Sequence, residues 1–239
     1  MVADCIEKTR INKHRQEIFV KVYDLSVTMR IGMPVWPGDE QFMYSSTSSI
    51  QEGDRANVSI LHCSSHTGTH VDAPYHFLQH GKSLDQVDIS SMVGFAQVLY
   101  VDCCRDITAA DLESVRKNGR LLPETKRILF KTQNTDRRLM QKPEFHKDYV
   151  AVGESAAEWL VQNHYITVGV DYLSVERFHP EIPRTHPILL GANIFVIEGL
   201  NMADVPEGSY NLVCGALNIE GADGSPARVF LLPPYETSK

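Results

Sequence analysis

Apolar positions along this chain recur in short runs and in two different periods. Residues 18–27 alternate through Phe19, Lys21 and Tyr23, the two-residue period of a strand. Largely apolar runs of strand length follow at residues 56–63, 94–102, 127–132 and 166–171. Further runs stand at 193–198, 212–219 and 227–232. Between them, residues 109–118 read as a helix, with Thr108 as N-cap, Asp111 in the first turn and Gly119 as the stop. Residues 153–163 read as a second helix, with Ala156, Ala157, Leu160 and Val161 on one side. The segment 133–149 is polar, 172–187 is broken by Pro180, Pro183 and Pro187, and 221–226 reads as a turn. There is no internal repeat, low-complexity tract or linker. The expectation is one α/β domain over residues 1–239, with 1–16 as a peripheral N-terminal segment.

Composition narrows the classes. The chain has 239 residues, enough to bury a sizeable core, with 43% hydrophobic and 22% charged residues. Its net charge of −7 argues against a nucleic-acid or anionic-membrane partner. No apolar run approaches the ~20 residues of a membrane span, and the polar start carries no signal-peptide pattern. The five cysteines are odd in number and include no C-x-x-C, which fits reduced thiols and a cytoplasmic setting.

The chemistry concentrates in one stretch. Of ten histidines, five (His62, His66, His70, His76 and His80) fall between positions 62 and 80. Within it stands His66-Thr67-Gly68-Thr69-His70-Val71-Asp72-Ala73-Pro74-Tyr75-His76. Neutral imidazole and carboxylate are ordinary ligands of zinc and related divalent ions. On a straight strand His66, His70 and Asp72 share a face, but four residues of strand span ~13 Å, too far for two ligands of one ion. The chain therefore bends, and Gly68 is the residue that permits it. The segment reads as a strand end, a glycine turn and a rigid Asp-Ala-Pro exit. Cys63 is either a further ligand or, as free cysteines commonly are, a small buried apolar residue.

Three other positions carry two readings each. Trp36, in the stiff loop Met33-Pro34-Val35-Trp36-Pro37-Gly38-Asp39, is either a core tryptophan or an aromatic wall for a flat substrate. His186, before Pro187, is a loop histidine or a ligand. Glu198 ends the apolar run Ile194-Phe195-Val196-Ile197, where a carboxylate faces solvent or else must be paired or metal-bound. Residues alone do not join these to His66.

The eleven-residue stretch resembles the H-x-G-T-H-x-D-x-P-x-H signature of the metal-dependent cyclase-like hydrolases, a family that includes the bacterial-type kynurenine formamidases and the isatin hydrolases. The resemblance extends further. Trp36 stands thirty residues before His66, His186 follows His76 by 110, and Glu198 follows His186 by twelve, much as in the formamidases. The segment Gly169-Val170-Asp171-Tyr172-Leu173-Ser174-Val175-Glu176 matches only loosely and bears on substrate choice.

What the resemblance implies is specific. His66, His70 and Asp72 would hold one divalent ion, and His186 and Glu198 a second, with both carboxylates bridging. The ions would be zinc, or manganese. His76 would be the acid/base residue and Trp36 a substrate contact. The fold would be a swivelling β/β/α-type mixed sheet flanked by helices, in a homodimer or larger homo-oligomer. The activity would be hydrolysis of a small aromatic amide by metal-activated hydroxide, first of all N-formylkynurenine to kynurenine and formate. The alternatives are an isatin hydrolase or other cyclic-amide or lactone hydrolase, and a non-catalytic metal-binding module. In isatin hydrolases an amide replaces the second bridging carboxylate, so the acid at Glu198 favours two ions.

Overall fold

A computed structural model describes residues 21–178 and 181–234. The expected N-terminal segment and the start of the strand at 18–27 lie outside the described residues; what remains of that strand is β1 (Tyr23–Asp24). A hairpin follows, β2 (Met43–Ser48) and β3 (Val58–His62), then β4 (His70–Asp72). The middle of the chain contributes β5 (Val93–Tyr100), β6 (Asp106–Ile107), α1 (Ala109–Lys117), β7 (Arg127–Lys131) and α2 (Gln133–Asp136). It continues with β8 (Ala151–Val152), α3 (Glu154–Gln162) and β9 (Thr167–Val170). The C-terminal third adds α4 (Thr185–Gly191), β10 (Phe195–Glu198), β11 (Gly208–Ala216) and β12 (Gly224–Leu232). Among the described residues no helix is long and apolar enough to cross a membrane.

The α/β class holds, and the mixed sheet closes on itself. Strands run in the order β1-β12-β11-β5-β7-β9-β10-β4, and β4 also pairs with β12, so β12 through β4 form a ring. β5, β7, β9 and β10 run parallel; β4, β11 and β12 join antiparallel. The central strands read as continuous apolar runs because both faces are covered. Val98, Leu129 and Ile197 point into the ring with Val71, Leu212 and Val229. Their neighbours Leu99, Ile128, Phe130 and Val196 point outward, against Leu112 and Val115 of α1, Leu160 of α3 and Leu189 of α4. Burial of each such side chain stabilises by roughly 1.5–3 kcal/mol.

This alternation places the chemistry. Val71 faces inward, so His70 and Asp72 face outward. Ile197 also faces inward and pairs with Val71, so Glu198, opposite His70 in the ladder, joins them on the outer face.

Several local expectations shift. α1 begins as read: the Thr108 side chain accepts from the Asp111 backbone and Asp111 accepts from Thr108, a reciprocal cap whose loss costs about 1 kcal/mol. The polar segment 133–149 contains α2, and the proline-broken segment ends in α4. There Pro187 lies in the first turn, where its missing N–H costs nothing. The turn at 221–226 is shorter than read, because Gly224, Ser225 and Pro226 pair with β4. The hairpin strand β2 carried no clear pattern, and most of its residues are exposed.

Candidate metal centre

Two glycines bring the metal-type side chains together. Gly68 has φ +69° and Gly199 φ +68°, both in the left-handed region. A Cβ on Gly199 would collide with the Gly68 carbonyl oxygen, so the end of β10 lies directly on the turn before β4. Thr69 fastens the contact: its hydroxyl donates to the Gly199 carbonyl at 2.7 Å and accepts from the Val27 N–H at 2.9 Å. The expected bend at Gly68 is there, and Pro74 begins a short 3-10 turn that carries His76.

Three imidazoles and two carboxylates meet on this outer face. His66 Nδ1 lies 2.8 Å from Asp72 Oδ1. His70 Nε2 lies 3.2 Å from Glu198 Oε2 and 3.7 Å from Asp72 Oδ1. His186 Nε2 lies 3.2 Å from Glu198 Oε1 and 3.4 Å from Asp72 Oδ2. Asp72 and Glu198 are therefore shared among the three rings, and all but His66 are buried.

Behind each ring stands an acceptor. His70 Nδ1 is 2.9 Å from the Gly68 carbonyl oxygen, which can only accept, so Nδ1 carries a proton. His186 Nδ1 is 2.9 Å from Glu176 Oε2. His66 Nε2 is 3.0 Å from Asp223 Oδ2. Each ring thus lies between acceptors on both sides, and a neutral imidazole has one proton to give, so one nitrogen of each is left with a lone pair facing an acceptor. Lone pairs facing carboxylates require a cation between them, a second proton or a metal.

The titration behaviour reports the same demand. Burial opposes charge on His66, but hydrogen bonds to Asp223 and Asp72 outweigh it and push its pKa up to about 10. Burial likewise opposes charge on His186, yet Asp72, Glu176 and Glu198 hold its pKa well above the usual value. The carboxyl of Asp72 is held well below the usual range by His186 and His66, against the effect of its own burial.

Asp72 supplies a further test of fit. Its Oδ2 is buried and makes no hydrogen bond among the described residues, a costly condition unless a cation is present. His70, Asp72 and Glu198 each place a ligand atom within 4.8 Å of one another, and so do His66, Asp72 and His76. Nitrogen and carboxylate donors converging in this number suit zinc or manganese. The residues present fit a metal centre.

His76 stands apart from the other three. Its ring stacks on His66, with centroids 3.9 Å apart and planes 27° from parallel. Its Nδ1 is 3.8 Å from Asp223 Oδ2, too far for a hydrogen bond. Burial holds its pKa below the ordinary value, against the pull of the Asp72 carboxylate.

The four histidines and Glu198 open onto one cavity of about 460 Å³, whose walls include Trp36, Asp39, Phe77, Leu173 and Arg177, while Asp72 is buried behind them. Trp36 has a place in both the cavity wall and an aromatic cluster. It lines the cavity and also packs on Phe145 and Phe178, at 5.2 and 5.3 Å between centroids. Cys63 is half-buried against the Met33, Val35 and Phe42 cluster, as a small apolar residue.

Two carboxylates were not read from the sequence as part of the site. Glu176 accepts from the backbone N–H groups of Arg184, Thr185 and His186 as well as from the His186 ring, so it caps α4 and orients His186 together. Asp223 sits in what read as an ordinary turn. No local pattern marks either residue; only the folded contacts do.

The family described as "Putative cyclase" matches residues 23–177. Cyclase-like protein 3 of Oryza sativa subsp. japonica is 41% identical over 223 residues, covering 89% of this chain and 80% of that protein. A kynurenine formamidase of Erythrobacter litoralis (strain HTCC2594) is 30% identical over 214 residues, covering 88% of this chain and 93% of that protein. A solved structure described as a potential metal-dependent hydrolase with cyclase activity superposes with a TM-score of 0.76 at 31% identity, covering 90% of this chain and 99% of that one.

Proposed function

The chain belongs to the cyclase family, and on that premise we propose that it is a metal-dependent amide hydrolase whose substrate is N-formylkynurenine or a close aromatic formamide. The observation that carries the reading is the division of labour among four histidines. His66, His70 and His186 each have one nitrogen backed by an acceptor and the other turned to shared carboxylates, while His76 faces the same cavity with no acceptor within hydrogen-bond reach among the described residues.

In this reading His66, His70 and Asp72 would hold one divalent ion and His186 and Glu198 would hold a second. Zinc is the first choice and manganese the second. When bound, such ions lower the pKa of water and polarise a carbonyl oxygen. The protein groups do the rest. His76, neutral at the outset, takes the proton released as water adds to the formyl carbon. It then returns that proton to the aniline nitrogen as the C–N bond breaks, since this nitrogen leaves poorly unless protonated. Trp36 supplies a flat apolar wall for the aromatic ring. Leu173 and Phe77 narrow the remaining space and limit bulk water around the reacting carbon.

The formamidase relative and the acid at Glu198 support this substrate over isatin. The test is a paired assay, turnover of N-formylkynurenine and of isatin by the same metal-analysed preparation. Formamide cleavage with two ions per chain is the expected result. Isatin opening alone moves the substrate to the cyclic amides, and no turnover of either with metal bound overturns the substrate class. Assembly as a homodimer or larger homo-oligomer is part of the same proposal, read by light scattering in solution.

A further inference from the structure

The geometry assigns to Asp223 a positioning role: it holds the His66 ring in the tautomer and rotation that present Nδ1 to the metal centre. The inference rests on the reading of His66 as a ligand.

Asp223 Oδ2 is 3.0 Å from His66 Nε2, while Nδ1 of the same ring points at Asp72 Oδ1, 2.8 Å away. Both carboxylates only accept, and a neutral ring has one proton; with a metal ion on the Asp72 side Nδ1 gives its lone pair to the ion, and the proton is held on Nε2 by Asp223. This completes a set. His70 is backed by the Gly68 carbonyl and His186 by Glu176, and Asp223 does the same for His66. Outer-shell acceptors of this kind fix ring orientation and raise ligand basicity.

The turn is built to hold the carboxylate there. The Asp223 carbonyl accepts from the Ala73 N–H, and the Ala222 carbonyl from the Leu84 N–H, both at 2.8 Å. Gly221 N–H donates to Asp85 Oδ1 at 3.0 Å. The Ser65 hydroxyl donates to Asp223 Oδ1 at 3.1 Å, leaving Oδ2 for His66. Gly224 lets the backbone close on the ring, since a Cβ there would lie 2.8 Å from His66 Cε1. Asp223 also faces His76 Nδ1, at 3.8 Å, beyond hydrogen-bond reach.

The experiment is a zinc titration against a competing chromophoric chelator, on the wild type, Asp223→Ala, Asp223→Asn and His66→Ala, each checked for folding by circular dichroism. Asp223→Ala should bind as many ions as the wild type but about 10–100-fold more weakly. Asp223→Asn should recover most of the affinity, because its amide oxygen still accepts from Nε2. In the zinc-loaded wild type, ¹⁵N resonances of His66 should show Nδ1 on the metal and Nε2 protonated. The opposite assignment overturns the inference whether or not Asp223→Ala folds. Unchanged affinity in Asp223→Ala also overturns it, and loss of an ion in both Asp223 variants makes the residue a ligand instead. If His66→Ala binds as the wild type does, the ligand reading itself has failed, which is a different result.

Discussion

The His76 ring lies flat on His66, 3.9 Å between centroids, yet the two imidazoles are held in different ways: His66 is fixed at both nitrogens, and His76, among the described residues, by ring contacts with His66, Phe77 and His186. Stacking fixes a plane while leaving the ring nitrogens available for exchange with a substrate. His76→Ala should therefore keep its metal and its fold and lose about 10²–10⁴-fold in kcat, with KM less affected. His76→Asn should behave in the same way. Metal analysis beside steady-state kinetics decides it, since loss of metal would make His76 a ligand with His66 and Asp72.

Removal of the central carboxylate should have the opposite signature. Asp72 touches both His66 and His186 and is fully buried. Asp72→Ala, His66→Ala and His70→Ala should each lose metal and activity together, as read by elemental analysis. Full metal content in any two of them would sink the assignment. Chelation of the wild type should lower its melting temperature, because an ion held at 100 times its dissociation constant stabilises by about 2.7 kcal/mol.

Trp36 packs on Phe145 and Phe178 while lining the cavity, so its variants should separate two effects. Trp36→Phe should keep most of the packing and narrow the aromatic wall, raising KM for an aromatic amide with little change in melting temperature. Trp36→Ala should raise KM further and destabilise as well, by roughly 3–5 kcal/mol at most for a half-buried ring. A fall in melting temperature with unchanged KM would restrict Trp36 to packing.

Gly199 tests the join between the two halves of the site. Gly199→Ala places a methyl group against the Gly68 carbonyl in a left-handed backbone. The expected cost is about 2–4 kcal/mol, from strain and overpacking together. Chemical denaturation measures it, and a variant as stable as the wild type would show that the backbone there moves freely.

The sequence carries this site unevenly. His66, His70, Asp72 and His76 lie in one continuous segment, and their types and spacing are readable because the bend that joins them is local. Glu198 gave a weaker sign, a carboxylate closing an apolar run, whose placement comes from its register opposite His70. His186 gave none of its own, because the prolines around it hide the helical turn that delivers it. Glu176 and Asp223 could not be read as partners of His186 and His66. Their roles depend on hydrogen bonds formed after the chain has folded, and acidic residues in loops are common. The barrel is in the same position: each strand has a local pattern, but the pairing of β4 with β12 joins residues 70–72 to 224–226, and no periodicity reports on that.

That pairing bears on the order in which the protein acquires its metal. β12 bonds to β1, β11 and β4, and it lies after every candidate ligand in the chain. During synthesis from the N-terminus, His66 through Glu198 exist as an open, flexible set of donors before the strand that clasps β4 is made. Cations met at that stage encounter the ligands without their final geometry and without Asp223. The final placement of His70 and Asp72 thus waits on a strand made after every candidate ligand, since Pro226 and Gly224 of β12 pair with them directly.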